Sequence, residues 1–159
     1  MRRDDSATIW RTLGLGAITG VRSMAAPAIL SRSAVEERIG SLEGTPFAAL
    51  ASPRVSTALQ LLEMGEMVGD KTPIIPSRTS LLPLLGRAAI GAFAGAALFA
   101  SGKRPVAAGA ALGAVSATAA AYAAEGVRMR ITERLGVPNV VAGLLEDGIV
   151  LLGGPRLLR

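Results

Sequence analysis

Five apolar runs follow one another along the chain, and the residues that bound them read as helix starts and stops. The first covers residues 6–31, with Ser6 placed as an N-cap, Arg22 near its middle and Pro27 beyond it. A helix there is expected to kink at the proline. Residues 32–52 read as a loop with a short amphipathic piece carrying Glu36, Glu37, Arg38 and Glu43. Ser52-Pro53 pairs a cap with a first-turn proline and starts a second helix running to about Gly69. After a proline-rich break, Thr79 or Ser80 caps a third helix to about Ala100, and Lys103 and Arg104 mark its end. Pro105 opens the fourth over 105–124, followed by a basic end at Arg128, Arg130 and Arg134. Pro138 opens the fifth, to about Leu152, and Gly153-Gly154-Pro155 stop it. The fold class is all-α, with about five main helices.

The apolar content changes what such helices are for. The fourth run holds twenty residues without a charge, enough to cross about 30 Å of hydrocarbon as a helix. The third reaches a similar length once LLPLLGR is joined to AAIGAFAGAALFA. Half of the 159 residues are hydrophobic but only 3% are aromatic, so helices must meet through small side chains and close backbones. Gly16 and Gly20 form one such edge, and Gly109, Gly113, Ala117 and Ala121 form a longer seam that Glu125 continues. Mean hydropathy is +0.46. These features predict a polytopic helical membrane protein forming one domain over residues 1–159. The alternative is a soluble Ala-rich bundle with its charges on solvated faces. In its favour, only Trp10 and Tyr122 are available for aromatic belts, and charges interrupt four of the five runs.

Charge and residue types exclude several chemistries. The net charge of +5 is scattered between apolar runs without interleaved aromatics, which argues against nucleic acid as a partner. Neither Cys nor His occurs, so disulfides, thiolate nucleophiles, imidazole bases and the commonest zinc ligands are absent. No cofactor is expected. The basic start MRRDDSATIW precedes an apolar run that is too interrupted to read as a signal peptide.

Two short segments recur in order: LGAIT at 15–19 with LGAVS at 112–116, and LLEMG at 61–65 with LLEDG at 144–148. They divide the chain into a first repeat (6–70), a linking helix (79–102) and a second repeat (105–153). Three spans between equivalent helices predict an inverted-topology repeat about an axis in the membrane plane, with sites near the midplane where helices break. Glu63 and Glu146 would then be symmetry mates facing one another. With the N-terminus inside, nine Lys/Arg fall on inner segments and seven on outer ones, a small bias that also permits dual topology.

The chemistry concentrates in LLEMGEMVGDKTPIIPSR, residues 61–78, where Glu63, Glu66 and Asp70 share one helix face. An acidic stripe is costly in a bilayer and usually has a task there. Arg22, Glu63, Glu66, Asp70, Lys71, Glu125, Glu146 and Asp147 are the candidate substrate- or ion-binding residues. Functionally, the acids would bind a cation or relay protons with Arg22 as counter-charge. Structurally, they would pair off as intramembrane ion pairs, Arg22 with Glu66 for example. Lys71 and Arg78, beside the helix break, are placed to hold a phosphate or a lipid head group, and the glycine spacing there is not that of a Walker motif. Tyr122 is expected in the core or at the interface.

GAITGVRSMAAPA near the start, the E-x-x-GDK-x-P-x-x-P-x-R segment, and a small-residue run ending in Y-x-x-E-x-x-R resemble an uncharacterised family of small bacterial integral membrane proteins. That family is catalogued as a domain of unknown function, and the resemblance runs from about Thr12 to Leu152. It implies a multi-pass protein of the bacterial cytoplasmic membrane and carries no activity with it. The residues themselves favour a small transporter or channel with a midplane acidic site, linked to a cation or proton. A structural or assembly protein is the second reading, and a lipid-modifying membrane enzyme the third. Expected partners are the lipid bilayer, a small ion or anionic head group, and further copies of the chain in a homo-oligomer.

Overall fold

The computed structural model describes residues 2–69 and 79–158, with side chains from Asp5 onward. Among them are six α-helices rather than five: α1 (Arg2–Val21), α2 (Ala25–Val35), α3 (Pro53–Gly69), α4 (Leu81–Ser101), α5 (Val106–Leu135) and α6 (Asn139–Gly153). One 3-10 turn, Ala48–Ala51, leads into α3, and another, Gly154–Arg156, extends α6. The architecture is all-α.

The sixth helix comes from the way the first apolar run breaks. The kink expected at Pro27 lies earlier, at Arg22–Met24, and it is a full reversal. A proline inside a helix removes an N–H donor and crowds the carbonyl four residues back. By breaking ahead of it, the chain places Pro27 in the first turn of α2, where no donor is needed. The Arg22 N–H still reaches the Ile18 carbonyl at 2.7 Å, and the Ala25 N–H then reaches back to the Arg22 carbonyl at 3.3 Å. Ile18 and Ile29, on either side of the reversal, both lie against Gly154. The first run is therefore a helical hairpin with its tip at residues 22–24.

Contacts along the helices set their directions. Glu66, near the end of α3, meets the hairpin tip, whereas Leu50, just before α3, accepts from Ser31 at 2.6 Å; α3 therefore runs opposite to α2. Gly95 faces Thr12 and Arg87 reaches Gly20, so α4 opposes α1. Gly91 faces Gly113 and Gly95 faces Gly109, so α5 opposes α4. Asp147 pairs with Arg22 and Leu157 packs on Gly14, so α6 opposes α1. The order alternates through all six helices.

That order corrects the inverted repeat. Gly16 lies on Gly113 and Ser116, and Gly20 on Ala117 and Ala121, so α1 and α5 run side by side in the same direction. A rotation about an axis in the membrane plane would make them opposed. The reversal at the hairpin tip adds one helix that the sequence count did not contain, and this changes the parity.

Small residues bring α1, α4 and α5 together. The buried residues of α5 are Gly109, Gly113, Ala117 and Ala121, the seam read from the sequence. A Cβ on Gly113 would run into the Gly91 carbonyl and lie 3.3 Å from the Gly95 Cα. Toward α1, the Ser116 hydroxyl donates to the Leu13 carbonyl at 2.6 Å. Larger apolar side chains fill the space beside the seam: Leu15, Leu30, Leu42 and Leu98 are all buried.

The helix α5 runs past its expected end at residue 124, because Glu, Arg and Met are good helix formers, second only to Ala. It stops where Gly136 turns left-handed, with φ of 63°. By length and composition α4 and α5 are the two described helices apolar enough to cross a membrane. Large apolar side chains face outward from α3 (Leu61, Leu62, Val68) and α6 (Leu144, Ile149, Leu152) as well.

Candidate functional site

A helix that ends inside a protein leaves open carbonyls, and one that begins there leaves open N–H groups. The hairpin tip has both, and charged side chains from three other helices meet them. From α3, the Glu66 carboxylate accepts the N–H groups of Ser23 and Met24, each at 2.8 Å. A negative charge at the start of α2 also opposes the positive end of its dipole. From α4, Arg87 Nε donates to the Gly20 carbonyl at 3.1 Å, placing a cation at the end of α1. From α6, the Asp147 carboxylate pairs with the Arg22 guanidinium. Arg22 and Arg87 are buried, with 1% and 6% of their surfaces exposed.

This arrangement corrects the pairing of Arg22 with Glu66. The guanidinium reaches only the main-chain carbonyl of Glu66, at 3.5 Å, while the carboxylate serves the backbone of the tip. Among the described residues, the carboxylate paired with Arg22 is that of Asp147. Sequence reading passed over Arg87, counting it among the loop charges. Its signal was an arginine interrupting LLPLLGRAAIGAF, an apolar run in which a cation needs a buried acceptor.

Beside the tip, α2, α3 and α6 line a half-open cavity of about 240 Å³. Its apolar wall includes Ile29, Met64, Met67 and Val150, and its polar lining is Arg32, Ser33, Arg38, Gln60 and Glu63. Glu63 is half-buried and within electrostatic reach of both Glu66 and Arg22. Among the described residues it makes no hydrogen bond and no ion pair. Arg32 and Arg38 sit at the exposed side, both holding Glu36, at 3.0 and 2.8 Å. These two arginines lie in the stretch expected to be a loop, and the longer α2 is what brings Arg32 to the cavity.

The remaining predicted residues separate. Glu146 turns to α5, where Arg128 meets it at 3.3 Å, and the same arginine donates to the Asn139 side chain at 2.6 Å. Glu146 and Glu63 are therefore not facing mates. Glu125 is half-buried on α5, in line with the glycine-alanine seam. Tyr122 is exposed. Asp70, Lys71 and Arg78 lie outside the described residues. Of the eight binding candidates, the structure gathers Arg22, Glu63, Glu66 and Asp147 around the tip and its cavity.

A family model described as a domain of unknown function, DUF4126, matches residues 9–154. The chain belongs to that family. No curated protein and no solved structure matches it. The DUF4126 stretch contains all of the hairpin but the first residues of α1, every residue that meets its tip, and almost all of the cavity wall, so the site lies within the family's own domain. The description carries no activity.

Proposed function

We propose that this chain is a small multi-pass protein of the bacterial cytoplasmic membrane that carries a small solute through the cavity at Glu63, linked to a cation or a proton. Support for the membrane comes from α4 and α5 and from the apolar faces of α3 and α6. The observation that carries the transport reading is the contrast among the carboxylates. Glu66, Asp147 and Glu146 are each held by backbone or arginine. Among the described residues, Glu63 alone of the predicted acids lines the cavity, where a carboxylate is available to a cation or a proton. The hairpin tip supplies what such a site needs, a helix break inside the bundle with its backbone satisfied by side chains.

The second reading is a structural membrane protein, and the charges at the tip favour it, since they tie α3, α4 and α6 to the hairpin. The two readings part at Glu63. Proteoliposomes loaded with a proton- or sodium-sensitive dye, and given a potassium diffusion potential, should take up one of these ions faster than protein-free vesicles. Glu63→Gln should abolish that uptake without lowering the melting temperature. Wild-type vesicles no leakier than empty ones to either ion would overturn the transport reading.

A further inference from the structure

We infer that the molecule this cavity takes is a zwitterion, a short chain with an ammonium group at Glu63 and an anionic group at Arg32 and Arg38. The inference rests on the cavity being the substrate site, as proposed above. Opposite charges line one half-open cavity without meeting: neither arginine forms an ion pair with Glu63 among the described residues. Arg32 and Arg38 share one carboxylate, Glu36, and two cations on one anion leave that end positive.

The helix directions order these groups along the cavity. Because α3 runs opposite to α2, Gln60 lies toward Arg32, and Glu63 lies a turn nearer the hairpin tip. Apolar side chains, Ile29, Met64 and Val150, form the wall beside them.

A simple cation would satisfy Glu63 but gain nothing from the arginines, and a simple anion would do the reverse. A dipolar chain satisfies both ends and lays its methylene groups on the apolar wall. It also carries no net charge into a low-dielectric space, which a singly charged ligand must do at a penalty. The volume of about 240 Å³ corresponds to roughly eight waters at about 30 Å³ each, room for a short amino acid.

The test uses the full chain in detergent, with binding followed by calorimetry. The probes are γ-aminobutyrate and its longer ω-amino-acid homologues, each set against the amine and the carboxylate of the same chain. One member of the series should bind about ten-fold tighter than both single-charge analogues, the loss expected when one charged hydrogen bond goes unmade. Glu63→Gln should erase its advantage over the carboxylate, and Arg38→Gln its advantage over the amine. An amine or a carboxylate binding as tightly as the zwitterion, or no saturable binding in the series, would overturn the inference. The vesicle experiment keeps the two proposals apart. Glu63-dependent flux without zwitterion binding removes the ligand class and leaves the carrier, whereas zwitterion binding without flux does the opposite.

Discussion

Replacing Asp147 by leucine leaves the Arg22 guanidinium in place and removes the carboxylate paired with it. Arg22 heads the fully buried side chains by volume, with 1% of its surface exposed, so water cannot take the place of the lost carboxylate. Breaking a buried pair from one side costs about 3–5 kcal/mol. For a chain of this length each kcal/mol moves the melting temperature by roughly 2–4 °C, so a drop of about 6–20 °C is expected. The double variant Arg22→Met/Asp147→Leu removes both charges and fills the space with apolar groups of similar reach. Such exchanges are often neutral or stabilising. The double variant should therefore recover most of the loss, short of the bond from Arg22 to the Glu66 carbonyl. Thermal unfolding in detergent, followed by helix circular dichroism, reads all three proteins. A double variant as unstable as the Asp147→Leu single, or a single that melts like wild type, would refute the reasoning.

Glu66→Gln leaves one acceptor oxygen for two N–H groups and takes the charge from the start of α2, which should cost about 1.5–3 kcal/mol; unchanged melting would show that the cap is idle. Glu63→Gln should stay within about 0.5 kcal/mol of wild type, because its carboxylate holds no described partner. Gly113→Ala drives a methyl into the Gly91 carbonyl and should cost about 1–3 kcal/mol. Gly148→Ala, on α6 with nothing within 4 Å, should instead gain up to about 1 kcal/mol, and equal effects on melting would contradict the packing described for α4 and α5. Carbonate-washed membranes should retain the chain, and its recovery in the wash would end the membrane reading.

What the sequence revealed of the fold follows from local rules. Pro53 begins α3, and Pro105 and Pro138 stand immediately before α5 and α6, because proline's fixed φ and missing donor act within one turn wherever the helix later packs. The seam of α5 was equally visible, since a four-residue repeat of small side chains has the same meaning in any helix pair. The hairpin was not visible, because its break is decided by residues that arrive from elsewhere. Ser23 and Met24 can leave their N–H groups outside a helix only when Glu66 is there to accept them, and Arg87 and Asp147 complete the tip from two further helices. Helical spacing placed Glu63 and Glu66 on one side of α3. It did not show that Glu66 would be absorbed by backbone and that Glu63, one turn away, would face a cavity. Arg32 and Arg38 were missed for a related reason: a charged stretch after an apolar run reads as a loop, and here it continues α2 and then folds back beside it.

The tip of the hairpin also has a history within each molecule, since it is made early and secured late. Glu66 follows Ser23 by 43 residues, and Arg87 follows Gly20 by 67. At roughly 5–20 residues per second of synthesis, the α1 carbonyl waits about 3–13 s for its arginine, and Asp147 comes later still. Until then the tip lacks Arg87 at the end of α1 and Asp147 beside Arg22. Ribosome-bound chains stalled before α4 should thus hold residues 22–24 in water or against head groups, and the hairpin should withdraw into the bundle only as the last helix is completed.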